Sequence, residues 1–377
     1  MNPLIELNRF GQSIWFDSIS RSLVTTGELE GMMEELAVTG ITSNPSIFEK
    51  AISAGSDYDA DIRDAAARGL DNHELLTDLF IQDIRKAARI LLPVYEKTWG
   101  RDGFVSIEVN PLLARDVKGT IREAQALHSS IDMPNILIKV PATVEGVEAV
   151  EELLYDGLNI NVTLLFSVER YRDVARAYVR ALQRRLKEKL PVKGIFSVAS
   201  FFVSRVDTLF DAVLQDMAEK TPEEDRKAAL LGLVSKVAVA NAKLAYISHG
   251  EIFKDEAFGP LREAGAGEQK LLWASTSTKN RAYSDVKYVE ELIGKDTINT
   301  IPLKTMLAFK DHGTVAPTLC QGLDEARAVM ASLDDLGVDY RALTYKLEVD
   351  GVKAFADSYE GLLEGVMAKK ASLVQGS

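Results

Sequence analysis

Lys139 stands inside a run of branched aliphatic residues, Ile136-Leu137-Ile138-Lys139-Val140, which gives an ammonium group no polar neighbour along the chain. A lysine is rarely buried in full unless it is paired or used. Desolvation by an apolar wall lowers an ammonium pKa and so raises the share of neutral amine that can attack a carbonyl. The Schiff base formed in that attack is an electron sink, and a carbon–carbon bond beside the former carbonyl can then break or form. Such chemistry needs proton shuttles and no metal. Asp17 and Glu108 supply two carboxylates, and Thr163 a hydroxyl able to hold a water in the relay. Plainer roles fit the same residues taken singly. A strand-end lysine can snorkel to water along its own stem, and Asp17, followed by Ser18, can cap a helix.

Two further segments have the composition of an anion site. Ser200-Phe201-Phe202-Val203-Ser204-Arg205 reads as the start of a helix after a strand, and Ser275-Thr276-Ser277-Thr278-Lys279-Asn280 as a loop after another. Hydroxyls, a helix N-terminus and a cation together suit a phosphate. Taken alone, either segment fits a capped helix with Arg205 or Lys279 on a solvated face better than it fits a phosphate site.

These residues need a scaffold that brings distant segments to one place. Short apolar runs at 13–17, 38–42, 104–109, 136–140, 158–163, 194–199, 271–275 and 297–301 alternate with amphipathic stretches such as 72–99, 168–190 and 224–246. Strict alternation of strand and helix implies parallel pairing with helical crossovers, and eight strands close a barrel. The expectation is one (β/α)8 TIM barrel domain over residues 1–377. The chain exceeds the roughly 250 residues usual for that architecture, so extra helices are expected within 46–100 and 207–265. A further helix over 336–371 is expected across one end.

Alternation within the strands then orients the side chains. In 158–163, Asn159, Asn161 and Thr163 share one face and Leu158, Ile160 and Val162 the other. The apolar face of a barrel strand must meet the helices, which turns the polar set into the lumen. By the same parity Leu137 with Lys139, Ser106 with Glu108 and Trp15 with Asp17 point inward. Strand C-termini are where barrel sites gather.

Composition removes several classes of function. The net charge of -12 opposes nonspecific attraction to nucleic acid or to an anionic membrane surface, so an anionic substrate needs a local basic cluster. One cysteine, Cys320, excludes an internal disulfide framework, and four scattered histidines offer no zinc-ligand spacing. No metal or other cofactor is expected. Cysteine usage points to a reducing cytosol, and residues 1–6 do not read as a signal peptide.

The segments Thr42-Ser43-Asn44-Pro45-Ser46-Ile47-Phe48, Ile107-Glu108-Val109-Asn110-Pro111, Ile138-Lys139-Val140-Pro141-Ala142-Thr143 and Asn161-Val162-Thr163-Leu164-Leu165-Phe166-Ser167 resemble successive blocks of the transaldolases. Those around Asp17, Arg205 and Lys279 continue the series, so the resemblance runs from the first strand to the seventh. It implies a Schiff-base lysine on the fourth strand, Lys139, and transfer of dihydroxyacetone between sugar phosphates. By the same resemblance Asp17 does acid–base work at the carbon–carbon bond, while Glu108 and Thr163 position a proton-shuttling water. Asn44, Asn161 and Ser200 bind substrate hydroxyls, and Arg205, Ser277 and Lys279 hold phosphate. Lys279 stands where better-known transaldolases carry arginine, which replaces a bidentate grip with a point charge. The opening Trp15-Phe16-Asp17-Ser18 resembles a longer bacterial branch. A fructose 6-phosphate aldolase is the nearest enzymatic alternative; Phe202 and Glu108 speak against it, since that group tends to carry tyrosine and glutamine there. A noncatalytic sugar-phosphate-binding barrel would be expected to lack at least one of Lys139, Asp17 and Glu108. Monomer and homodimer both stay open.

Overall fold

The computed structural model of the chain describes residues 2–43, 48, 52 and 55–375. Eight parallel strands close in sequence order: β1 (Gln12–Phe16), β2 (Val38–Ile41), β3 (Val105–Glu108), β4 (Ile136–Pro141), β5 (Ile160–Leu165), β6 (Ser197–Phe202), β7 (Lys270–Ala274) and β8 (Thr297–Ile301). Pairing of β1 with β8 completes the ring. The fold is the expected (β/α)8 barrel.

Parity holds because both faces of each strand are buried for different reasons. On β4, Ile138 and Val140 are fully buried among the surrounding helices, while Lys139 pairs in register with Glu108 on β3 and Asn161 on β5. Adjacent in-register residues point to the same side of a parallel sheet, so these three polar side chains enter the lumen together. Trp15 fills the lower lumen opposite Gly40, where its indole N–H donates to Asp102 Oδ1 at 2.8 Å. Ser13 donates to the other oxygen of Asp102 at 2.5 Å.

Most strands lie within a residue or two of their expected ranges, and β8 coincides with its range. The sixth does not. Gly194, expected to open the strand, has φ of +88° and belongs to the turn before it, whereas Phe201 and Phe202 continue the strand. Phe201 turns outward and meets Trp273 edge-on at 6.2 Å, and Phe202 turns into the lumen. Ser200 therefore sits inside a strand, and the following helix begins only at Ser204.

Both expected insertions carry helices, Asp59–Ala67 and Asn72–Lys97 in the first and several between Ser204 and Glu263 in the second. The expected single helix at 224–246 is two, Glu224–Leu233 and Val237–Lys254. They separate at Ser235, which adopts φ of +72°. Two buried carboxylates hold that break: Asp211 accepts the Ser235 N–H and Asp207 the Ala238 N–H, each at 2.7 Å. The C-terminal helix Tyr340–Gln375 crosses the strand C-terminal end, touching β5, the turn Pro111–Leu113 and the helix Ser204–Lys220. No single helix among the described residues is long and apolar enough to cross a membrane.

A Cβ on Gly40 would lie 2.5 Å from the Trp15 indole, which is itself wholly buried. Gly40→Ala is expected to lower stability by about 1–3 kcal/mol through overpacking, measured by urea unfolding; an unchanged midpoint would contradict the lumen packing described.

Candidate active site

At the C-terminal end of the barrel, a cavity of about 250 Å³ is lined by side chains from seven of the eight strands or the segments that follow them, all but β3, and by Phe355. Lys139 lies at its base, only 5 % exposed. Its ammonium donates to the Ser43 carbonyl at 3.1 Å and stands 3.4 Å from Glu108 Oε2. That contact is an ion pair without hydrogen-bond alignment, and neither Glu108 oxygen has a hydrogen-bond partner among the described residues. Burial raises the Glu108 carboxyl from 4.5 to about 7, against the opposing pull of Lys139.

Asp17 enters from just beyond β1. Thr42 donates to its Oδ1 at 2.9 Å, and Thr42 Oγ1 lies 2.7 Å from Thr300 Oγ1. Burial raises the Asp17 carboxyl as well; Lys139, the Thr42 hydrogen bond, Lys279 and Arg205 restrain the rise. No helix starts at Ser18, the next one being Glu28–Glu35, so Asp17 is not a helix cap. Thr163 is fully buried, faces the cavity, and its hydroxyl has no hydrogen-bond partner among the described residues. Buried hydroxyls are normally satisfied, which makes this one a seat for a water or a substrate oxygen.

Asn161 lies beside Lys139 but does not line the cavity. Its amide donates to Ser106 Oγ at 3.0 Å and accepts from Ser200 Oγ at 2.6 Å. It thus fixes the orientation of Ser200, which does line the cavity. Arg205, Ser277 and Lys279 line the same cavity from the segments after β6 and β7. Arg205 is half-buried at the start of the helix Ser204–Lys220, its guanidinium 5.4 Å from the Phe202 ring. It has no hydrogen bond or ion pair among the described residues. Burial lowers its pKa and Asp17 raises it. Lys279, on the exposed rim, donates to Ser277 Oγ at 2.8 Å. Asn44 lies outside the described residues.

A buried amine beside two carboxylates, in one cavity with an unpaired guanidinium, suits an anionic carbonyl substrate. The sequence profile described as Transaldolase/Fructose-6-phosphate aldolase matches residues 14–366. The chain belongs to that family. It is 42% identical over 372 residues to "Transaldolase 2" of Nostoc sp. strain PCC 7120, covering 98% of each chain. It is 46% identical over 363 residues to "Transaldolase" of Thiobacillus denitrificans, covering 96% of this chain and 99% of that one. To "Transaldolase" of Thermobifida fusca it is 42% identical over 372 residues, with 98% and 99% covered.

Within this family member, several residues of the motif blocks serve the helices that follow the strands. Thr143 and Ser167 accept N–H groups of the next helix at 2.9 and 3.1 Å, and Asn110 accepts the Leu112 N–H at 3.0 Å. Thr42, Thr300 and Phe355 also line the cavity and were not singled out from the sequence. On β8, Thr300 shares a face with Ile298 and opposes Thr297, Asn299 and Ile301, so neither face is cleanly apolar and alternation alone did not mark it. Phe355 had no signal either, because it arrives from the C-terminal helix.

Because the folded chain holds the Glu108 proton more tightly than the unfolded chain, this group stabilises the fold while protonated. The contribution is complete below pH 4.5 and is lost as pH rises through about 7. Glu108→Gln is therefore expected to remove part of the stability decline over that interval. Urea unfolding of both proteins across the range tests it, and parallel pH profiles would reject the assignment.

Proposed function

We propose that this family member is a transaldolase that moves a dihydroxyacetone unit from sedoheptulose 7-phosphate to glyceraldehyde 3-phosphate, giving erythrose 4-phosphate and fructose 6-phosphate. The observation that carries the reading is the Lys139 ammonium, buried 3.4 Å from Glu108 at the base of a cavity that also presents Arg205, whose guanidinium has no ion-pair partner among the described residues. Similarity to transaldolases over nearly the whole chain supports it.

In this reading the neutral Lys139 amine attacks the donor ketone, and the carbinolamine loses water to form a Schiff base. Glu108, raised toward neutrality by burial, exchanges the protons of that step through a water seated on Thr163. Asp17 takes the proton of the hydroxyl beyond the scissile bond. As that bond breaks, its electron pair moves into the Schiff base and leaves an enamine on Lys139, while the aldehyde fragment departs. The acceptor aldehyde then forms the new bond and recovers the proton from Asp17. Hydrolysis returns the amine. Ser200, oriented by Asn161, binds a substrate hydroxyl, and Asn44 takes a similar role. Arg205, Ser277 and Lys279 hold the phosphate, with the helix N-terminus at Ser204 adding its dipole. No cofactor enters these steps. The chain acts as one barrel domain, and its single exposed thiol, Cys320, supports a place in the reducing cytosol.

Incubation with fructose 6-phosphate and borohydride, followed by peptide mass spectrometry, is expected to find a reduced adduct on Lys139 alone. An adduct on another lysine, or none, overturns the mechanism. Lys139→Ala is expected to abolish transfer with an unchanged circular dichroism spectrum, and residual turnover near the parent rate would sink the nucleophile assignment.

Arg205→Ala is expected to raise the apparent KM for phosphorylated donors roughly ten- to a hundredfold, the worth of one hydrogen bond to a charged group. An unchanged KM would remove Arg205 from the phosphate site.

A further inference from the structure

Among the residues lining the cavity, Phe355 alone comes from neither a strand, the loop after a strand, nor the helix that directly follows one. It comes from the helix Tyr340–Gln375 and is 6 % exposed. Its ring centre lies 5.4 Å from Lys139 Nζ, with the ammonium over the ring face. The helix is held down to reach this place. Gly351, one turn earlier on the same face, lets it approach β5: a Cβ there would stand 3.0 Å from Leu164 and 3.5 Å from Phe166. Leu164 holds φ of +60°, so β5 is bent where the helix meets it.

We infer that Phe355 decides the fate of the three-carbon unit on Lys139, keeping it for transfer to an aldehyde and preventing its release as free dihydroxyacetone. The inference rests on the reaction proposed above. Once the donor bond has broken, the enamine on Lys139 has two exits. Attack on an acceptor aldehyde forms the new carbon–carbon bond. Alternatively the enamine carbon takes a proton from water, and a second water hydrolyses the resulting iminium, freeing dihydroxyacetone and the amine. Hydrolysis of an iminium ends both exits, so protonation decides between them, and the water that delivers this proton must reach the enamine carbon two bonds from the nitrogen. An aromatic face over the nitrogen occupies that approach, while its quadrupole favours the cationic iminium over the neutral amine. Among the other lining residues, Asp17, Thr42, Thr163, Ser200 and Thr300 would hold water, while the apolar Phe202, Ala274 and Pro302 come from β6, β7 and the segment after β8. Of the apolar lining groups, Phe355 is the one whose ring face lies over the amine.

The test compares the parent with Phe355→Ala and Phe355→Leu, each given fructose 6-phosphate with and without erythrose 4-phosphate. Free dihydroxyacetone is measured by a coupled glycerol dehydrogenase assay, sedoheptulose 7-phosphate by chromatography, and the Lys139 adduct by borohydride trapping. The ratio of released to transferred dihydroxyacetone is expected to rise roughly tenfold or more in Phe355→Ala. Phe355→Leu, which keeps apolar bulk but uncovers part of the amine, is expected between the two. Gly351→Val, which touches no cavity residue directly, is expected to move the ratio in the same direction by lifting the helix. A ratio unchanged in both Phe355 variants, with parent transfer and the Lys139 adduct intact, overturns this inference and leaves the proposed reaction standing. Absence of transfer and adduct in the parent overturns both.

Discussion

Lys139 and Glu108 occupy paired positions on adjacent strands, and their side chains are 6% and 4% exposed. Burying two opposite charges costs more solvation than their attraction returns unless the geometry is good, and here neither carboxylate oxygen has a hydrogen-bond partner among the described residues. A chain selected only for stability would replace such a pair with hydrocarbon. The rest of the barrel can be understood as the frame that tolerates it. The paired strands fix the separation at 3.4 Å, the Ser43 carbonyl takes one ammonium proton, and wholly buried Ile138 and Val140 lock the β4 backbone against the outer helices.

The two carboxylates differ in what surrounds them, and that difference separates their possible roles. Both are raised by burial. Asp17 faces the open cavity and feels Lys139, Lys279 and Arg205, together with a hydroxyl donor in Thr42. Glu108 lies behind the amine, with Lys139 as its opposing influence. A group near neutrality behind the nucleophile is placed to exchange protons with it, and one exposed to the cavity is placed to reach substrate. The cations are arranged just as unequally: one at the base, and two on the segments after β6 and β7. In a chain of net charge -12 this local excess marks out where an anion is attracted.

Parity made much of this readable from sequence. Alternation on β1, β3, β4 and β5 is enough to turn Asp17, Glu108, Lys139 and Thr163 toward one lumen once the strands are taken as parallel. Where the reading failed, a local rule was overridden by packing. Phe201-Phe202 resembles a helix start, but Phe201 packs against Trp273 on the outer face and the strand runs on. The helical pattern of 224–246 is continuous, but Asp207 and Asp211 offer better partners to the N–H groups at Ser235 and Ala238 than a regular helix does. Asn161 was legible as inward-facing; that both ends of its amide are already taken by Ser106 and Ser200 was not, because it depends on three strands at once. The motif blocks also mix two kinds of residue. Lys139 and Thr143 stand four apart in one block, yet one faces the cavity and the other caps a helix.

The C-terminal helix crosses one end of the barrel as its pattern led us to expect; what pattern alone could not supply is how it is attached. Its N-terminal end is tied by Tyr340, whose hydroxyl donates to Asn241 at 2.6 Å and accepts the Val168 N–H at 3.1 Å, and by Glu348 with Arg170 at 3.3 Å. Its far end is tied by Lys369 to Asp59 at 2.9 Å and by Lys370 to the Leu70 carbonyl at 2.8 Å. These partners come from the helices and turns after β2, β5 and β6, so the helix spans the barrel mouth as a strut anchored on opposite sides. A hinged lid needs one weakly held end, and this helix has none. Phe355, which this helix carries over the cavity, is held with its ring centre 5.4 Å from Lys139 Nζ by these anchors. Fixed geometry is what an unstable carbanion equivalent requires of its surroundings, since a cover that opened for each acceptor would also admit water.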